Sequence, residues 1–158
     1  MLGLLRKRVL LFSLLVSFTL MNTAVAETKA ADDPTSLYNR LGGLAPITAV
    51  VSDFIDVMVV DDTLNANPAI DDARKNIPAA YLKYHVTSMV CQATGGPCQY
   101  HGRAMKESHS HLNISVAEWQ HMVVLLKGVF DKYEVPEQEQ QELLAIVDST
   151  QDDIVMEK

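Results

Sequence analysis

After residue 36, apolar residues recur along most of the chain at steps of three and four and do not alternate, so the pattern predicts an all-α protein. Ser36 is placed to cap a short helix through Leu41, which Gly42-Gly43 then breaks. Pro46 suits the first turn of a second helix, whose inward face is Ile47, Val50, Val51, Phe54 and Met58 and which ends near Asp61-Asp62. Asn65, Asn67 and Pro68 predict an irregular stretch over Leu64 to Ile77. From Pro78 an amphipathic helix carries Tyr81, Leu82, His85, Val86, Met89 and Val90 on one face, until Gly95-Gly96-Pro97 stops it. A short helix over Arg103 to Leu112 puts Met105, His109 and Leu112 on one stripe. Ser115 and Glu118 form a capping box for a helix through Tyr133, with Trp119, Met122, Val123, Leu126, Val129 and Phe130 inward. Pro136 opens a last helix with Leu143, Leu144, Val147 and Ile154 on its buried side.

The first segment follows a different plan. Arg6, Lys7 and Arg8 precede an apolar run from Val9 to Leu20, and Ala24-Val25-Ala26 closes it, which is the three-part layout of a secretory signal peptide. The run falls short of the ~20 apolar residues a transmembrane helix needs. Cleavage after Ala26 predicts a periplasmic or secreted protein with no stable membrane anchor, a flexible lead-in over 27–36, a domain over 37–155 and a tail over 156–158. The leader takes three positive charges and no negative ones with it, so the formal charge moves from −7 on 158 residues to −10 on 132. That balance disfavours nucleic acid and anionic membrane surfaces as partners.

Two histidines, His85 and His109, fall on the apolar stripes of two different helices. A buried imidazole needs partners for its nitrogens, from backbone in an ordinary core or from a metal-bearing cofactor lying between the helices. A zinc site is disfavoured, because Cys91, Cys98 and His101 lack the short paired spacings and His109 and His111 point to different faces of a helix. The absence of C-x-x-C-H argues against covalent haem attachment. In an exported protein Cys91 and Cys98 can pair around the Thr94-Gly95-Gly96-Pro97 turn, the alternative being two reduced thiols.

The ordered set Leu37-Tyr38-Asn39-Arg40-Leu41-Gly42-Gly43, Thr94-Gly95-Gly96-Pro97 with Tyr100 and Gly102, Met105-Lys106-x-x-His109, Leu112-x-Ile114, Val135-Pro136 and Asp153-Ile154-Val155 resembles group 1 truncated hemoglobins over about residues 37–155. The resemblance implies a shortened globin in which helix pairs stack two over two around non-covalent haem b. It makes His109 the proximal iron ligand and puts His85 on the distal helix, where it is a possible second ligand, a hydrogen-bond donor to a bound ligand, or a residue pointing past the haem edge. Tyr81, Leu82, Val86 and Met89 on the distal side, with Met105 and Leu112 on the proximal side, become the expected haem contacts. Lys83 and Lys106 become candidates for the propionates, and Trp119 core on the proximal helix. Two positions depart from the family pattern: Ile55 stands where many relatives carry a tyrosine, and the Asn67-Pro68 stretch replaces the usual haem-wedging phenylalanine.

The function implied is reversible binding of a diatomic ligand, most simply dioxygen, with nitric oxide or carbon monoxide as other ligands. The alternatives are conversion of nitric oxide to nitrate or a peroxidase-like reaction, supplied by an unidentified reductase; electron transfer through a bis-histidine haem; and a cofactor-free helical interaction domain.

Overall fold

The computed structural model describes residues 33–156; residues 1–26, expected to be a signal peptide, residues 27–32 of the expected lead-in and the last two residues lie outside them. The described chain folds as α1 (Leu37–Arg40), α2 (Leu44–Val60), α3 (Asp62–Asn65), α4 (Pro68–Asn76), α5 (Ala79–Ala93), α6 (Met105–His109), a 3-10 turn (Ser110–Leu112), α7 (Val116–Lys132), α8 (Glu137–Asp148) and α9 (Gln151–Ile154). Among the described residues there is no strand, only an isolated parallel bridge between Ile114 and Val155.

Helix α2 is shared by both halves of the core. Ile47, Val51 and Ile55 bury against Leu82, Val86 and Val90 of α5, while Val50 and Phe54 pack toward Leu126 and Phe130 of α7 and Leu143 of α8. These stripes of apolar residues at helical spacing remove most of the large side chains from water, the dominant favourable term in folding. At one end, Arg40 of α1 ties α8 in place: its Nε donates to the Glu139 carboxylate at 2.9 Å, a second guanidinium nitrogen donates to Glu142, and a third donates to the Thr35 carbonyl at 2.7 Å. Glu139 is only 7% exposed, so the guanidinium also compensates a carboxylate that burial would otherwise penalise.

The helix boundaries show which local signals decide. Asn67 and Pro68, read as breakers, instead start α4: the Asn67 side chain accepts the Ala69 N–H at 3.0 Å as N-cap, and Pro68 occupies the first turn. Asp61 likewise caps α3 by accepting the Leu64 N–H at 2.8 Å, so the stretch expected to be irregular, Leu64 to Ile77, holds the end of α3 and the whole of α4. Helix α2 begins at Leu44, two residues before Pro46, because Gly43 at φ 84° turns the chain into it. The helix expected over Arg103 to Leu112 is one regular turn starting at Met105, followed by the 3-10 turn and left-handed Asn113 at φ 50°. The last helix stops at Asp148, and Ile154 belongs to the separate α9, because the Ser149 and Thr150 hydroxyls turn back to the Ile146 and Val147 carbonyls. The capping box of Ser115 and Glu118 forms as expected. Residues 33–36, read as part of a flexible lead-in, form a turn in which the Asp33 carboxylate accepts from Thr35 at 2.7 Å.

The chain leaves α5 through Gly95-Gly96, where Cys91 and Cys98 form a disulfide with Cα atoms 5.7 Å apart. A Cβ built on Gly96 would lie 2.5 Å from a Tyr38 ring carbon and 2.7 Å from both the Cys91 carbonyl oxygen and Sγ. One of these neighbours is backbone and another is locked in the disulfide, so the clash cannot be relieved cheaply. Gly96→Ala is therefore expected to destabilise the fold by about 1–3 kcal/mol and lower the thermal midpoint by several degrees, checked by circular-dichroism melting under non-reducing conditions.

Candidate functional site

A largely apolar cavity of about 860 Å³ opens inside this frame. Helix α5 supplies one wall through Tyr81, Leu82, His85, Val86 and Met89; Met105, His109 and Leu112 come from α6 and its 3-10 extension; Ile55 and Trp119 come from α2 and α7. All eight positions expected to contact a cofactor thus line one cavity, although 81–89 and 105–112 are separated by the disulfide-closed turn.

The proximal candidate is oriented by its own helix. His109 Nδ1 lies 2.8 Å from the carbonyl oxygen of Met105, one turn back. With Nδ1–H as donor, the neutral ring keeps its lone pair on Nε2. Burial pushes the imidazole pKa down, the Met105 contact holds it up and His111 pushes it down, with a net lowering from 6.5. The neutral, metal-ligating form is therefore favoured, and the Met105 carbonyl sets both tautomer and ring direction.

His85 is held differently. Its ring stacks at a tilt on Tyr81 at 4.2 Å between centroids and meets Tyr84 and Tyr100 edge-on at 5.1 and 6.1 Å. Its Nδ1 is buried without a hydrogen-bond partner, and Asn65 Oδ1, in a residue that also lines the cavity, is a second such atom. Unpaired buried polar atoms cost free energy, so the cavity is polar-deficient where a bound group would sit. An apolar volume of this size, with one neutral imidazole fixed through Nδ1 and a second left unfixed, fits a flat metal-bearing macrocycle.

The remaining expectations divide. Lys83 does not reach the cavity, since its ammonium pairs with Asp56 at 2.6 Å, and Lys106 is exposed and does not line it. Arg40, Arg74 and Arg103 are the arginines of its lining; Arg40 is already paired with Glu139 and Glu142, and Arg74 with Asp71 at 2.6 Å. Ile55 is 1% exposed and offers no polar atom. Trp119 is core, at 4% exposure, and also part of the wall. In place of a wedging phenylalanine, Leu64 and Ile70 supply apolar lining, while the Asn67 carboxamide turns away to donate to the Leu112 carbonyl at 3.0 Å. Burial pushes the Glu118 carboxyl pKa up, but hydrogen bonds from the Ser115 backbone, the Ser115 hydroxyl and Asn67 bring it below the ordinary value.

Sequence reasoning missed Tyr100, Arg103 and Asn67. The Tyr100 phenol donates to the Arg103 carbonyl at 2.8 Å while its backbone N–H donates to Gln92 Oε1 at 2.6 Å, so the loop after the disulfide forms part of the wall beside His85. Burial, then the nearby Tyr81, raise the Tyr100 pKa, with Arg103 opposing, which keeps the phenol protonated. Loop residues carry no periodicity, so only the pairing of Cys91 with Cys98 hinted that this segment returns to α5.

The family profile described as bacterial-like globin matches residues 36–156. Among solved structures, the chain is similar to the ferric truncated hemoglobin from Tetrahymena pyriformis and to two single-substitution variants of it, each with a TM-score of 0.67 at 20% identity, covering 77% of this chain and 99% of that one.

The lowered His109 pKa has a sign that can be measured. Because the unfolded chain takes up the proton first, stability is fullest above about pH 6.5 and falls as pH drops from there toward the lowered native value. The haem-free protein should show a lower thermal midpoint at pH 5.5 than at 7.5, and His109→Gln should reduce that difference.

Proposed function

The chain belongs to the bacterial-like globin family, and from that premise we propose that His109 holds its haem iron and that the protein reversibly binds a diatomic ligand, most simply dioxygen. Members of the family carry haem b non-covalently, and this chain is a haem-binding globin of truncated form. When bound, the haem would supply an iron centre able to take an imidazole ligand and a small diatomic ligand.

The observation that carries the reading is the contrast between the two imidazoles in one cavity. His109 donates from Nδ1 to Met105, so in the neutral ring Nε2 is the nitrogen that keeps the lone pair. His85 has no such second partner on Nδ1, so either nitrogen can carry the proton. A ring free to exchange tautomers can occupy the ligand side as a displaceable sixth ligand, which we take as the resting arrangement, or donate a hydrogen bond once displaced. With Ile55 unable to donate, ligand stabilisation falls to His85. The apolar side chains of Leu82, Val86 and Met89 exclude water from that side. Arg103, just ahead of α6, is the cation best placed to meet a propionate.

Export is part of the proposal. The Cys91–Cys98 disulfide supports it, since such bonds persist in oxidising compartments. The mature protein is expected to begin at Glu27, which N-terminal sequencing of cell-fractionated material reads directly.

His109→Gly should lose the haem Soret band under conditions where the parent retains it, and millimolar imidazole should restore it; a variant with the parental histidine-ligated spectrum would remove the assignment. His85→Ala should convert a six-coordinate low-spin ferrous spectrum to a five-coordinate one and speed carbon monoxide association by about tenfold or more. An unchanged low-spin spectrum would place the sixth ligand elsewhere.

A further inference from the structure

We propose that Asn67 is a positioning residue for the proximal histidine: its carboxamide, anchored on the α4 cap, fixes the Leu112 carbonyl and with it the segment that carries His109. The inference rests on the reading that His109 ligates the iron. Asn67 Oδ1 accepts the Ala69 N–H at 3.0 Å, and Nδ2 donates to the Leu112 oxygen at 3.0 Å across 45 residues of sequence. Leu112 ends the 3-10 turn that continues directly from α6, and left-handed Asn113 stops the helix there. Carbonyls at such an end have no partner in their own helix, and Asn67 supplies one.

The bond matters because α6, which packs against α9, has weak local support of its own. Its five residues are far too few for a helix to be stable in isolation, and its N-cap, Ala104, offers no side-chain hydrogen bond. The direction of the His109 ring is set by Met105, inside the same turn, so that contact cannot fix where the turn sits in the molecule. Beyond the turn, the chain is tied by the Met156 N–H donating to the Ile114 oxygen at 2.8 Å and by the Ser115–Glu118 capping box. Asn67 is the side chain that joins the turn itself to the start of α4. The oxygen of its carboxamide caps α4, and the nitrogen braces the end of the turn after α6 and also bonds the Glu118 carboxylate in the first turn of α7.

That division makes the test specific. In the full-length haem-loaded protein, Asn67→Ser and Asn67→Asp both keep an oxygen able to cap α4 but lose the carboxamide N–H donor to Leu112 and to Glu118. The iron–histidine stretching band, read by resonance Raman just after photolysis of the ferrous carbon monoxide adduct, should shift or broaden in both. Haem transfer to a scavenging globin should quicken by about three- to tenfold, while the thermal midpoint stays close to the parent's. A parental band and parental haem-loss rate in both variants would overturn the proposal and leave Asn67 a helix cap only. A second measurement needs no variant: in the parent, the Asn67 side-chain amide protons should exchange slowly and show scalar coupling to the Leu112 carbonyl by NMR, and rapid exchange without coupling would overturn the proposal whatever the variants do. His109→Gly separates the two levels. Loss of the band there, with unchanged Asn67 variants, sinks the positioning role alone; retention of the band there sinks the proximal assignment and this inference with it.

Discussion

The hydrogen bond from His109 Nδ1 to the Met105 carbonyl is a small interaction on which the rest of the architecture depends. It joins residues one turn apart, so it exists only while that turn is helical. It also fixes which nitrogen keeps a lone pair. A five-residue helix cannot secure such geometry from within, because forming a first turn costs more conformational entropy than its hydrogen bonds return. The surrounding structure therefore carries the cost. The disulfide and the Gln92–Tyr100 contact return the chain to α5 before α6 begins, and the contact from Met156 to Ile114 holds it afterwards.

The larger helices can be understood as supports for the same requirement. Helix α2 buries one face against α5 and another toward α7 and α8, which fixes the two halves of the core relative to each other without filling the space near α6. Polar clasps sit at the periphery: Arg40 with Glu139 and Glu142 at one end, and His121 Nε2 with both Asp61 carboxylate oxygens at 3.0 Å at the junction of α2, α3 and α7. Burial opposes ionisation of Asp61, but its hydrogen bonds to Leu64 and His121 win, and its pKa is lowered. These contacts orient helix ends, where unpaired backbone groups concentrate, and leave the cavity wall apolar.

The legible parts of the fold were those written in periodicity. The stripes through Ile47–Met58, Leu82–Val90 and Trp119–Phe130 predicted α2, α5 and α7, and His85 and His109 stood out as polar residues inside such stripes. What stayed hidden depended on tertiary contacts or on reading one residue in two ways. Asn67-Pro68 is a breaker in a helix interior but a start signal at its first turn, and no apolar stripe favoured the second meaning. Lys83 belongs to a helix that also faces Asp56 on α2, so its charge was satisfied across helices rather than at the cavity. Tyr100 lies in a loop, where side-chain direction follows from the Gln92 contact and the disulfide, not from spacing.

Packing makes the final connection between fold and cofactor. Among the described residues Ile55 at 1% and Cys91 at 0% are the most enclosed apolar side chains, while an 860 Å³ cavity lies between the helices. Protein interiors are normally packed as tightly as organic crystals, and an unfilled apolar volume of this size forfeits contact energy along its whole lining. Evolution of a small domain toward such a hollow makes physical sense when another body completes the core. The family supplies that body as haem b, and Leu82, Val86, Met105 and Leu112 are among the apolar side chains lining the volume it would fill. Anything that binds the folded chain and not the unfolded one adds to its stability, so haem binding would add to the stability of this fold. Under the proposed reading the imidazoles of His85 and His109 are not polar intrusions into an apolar core; they line the volume the haem would fill, and His109 would attach it.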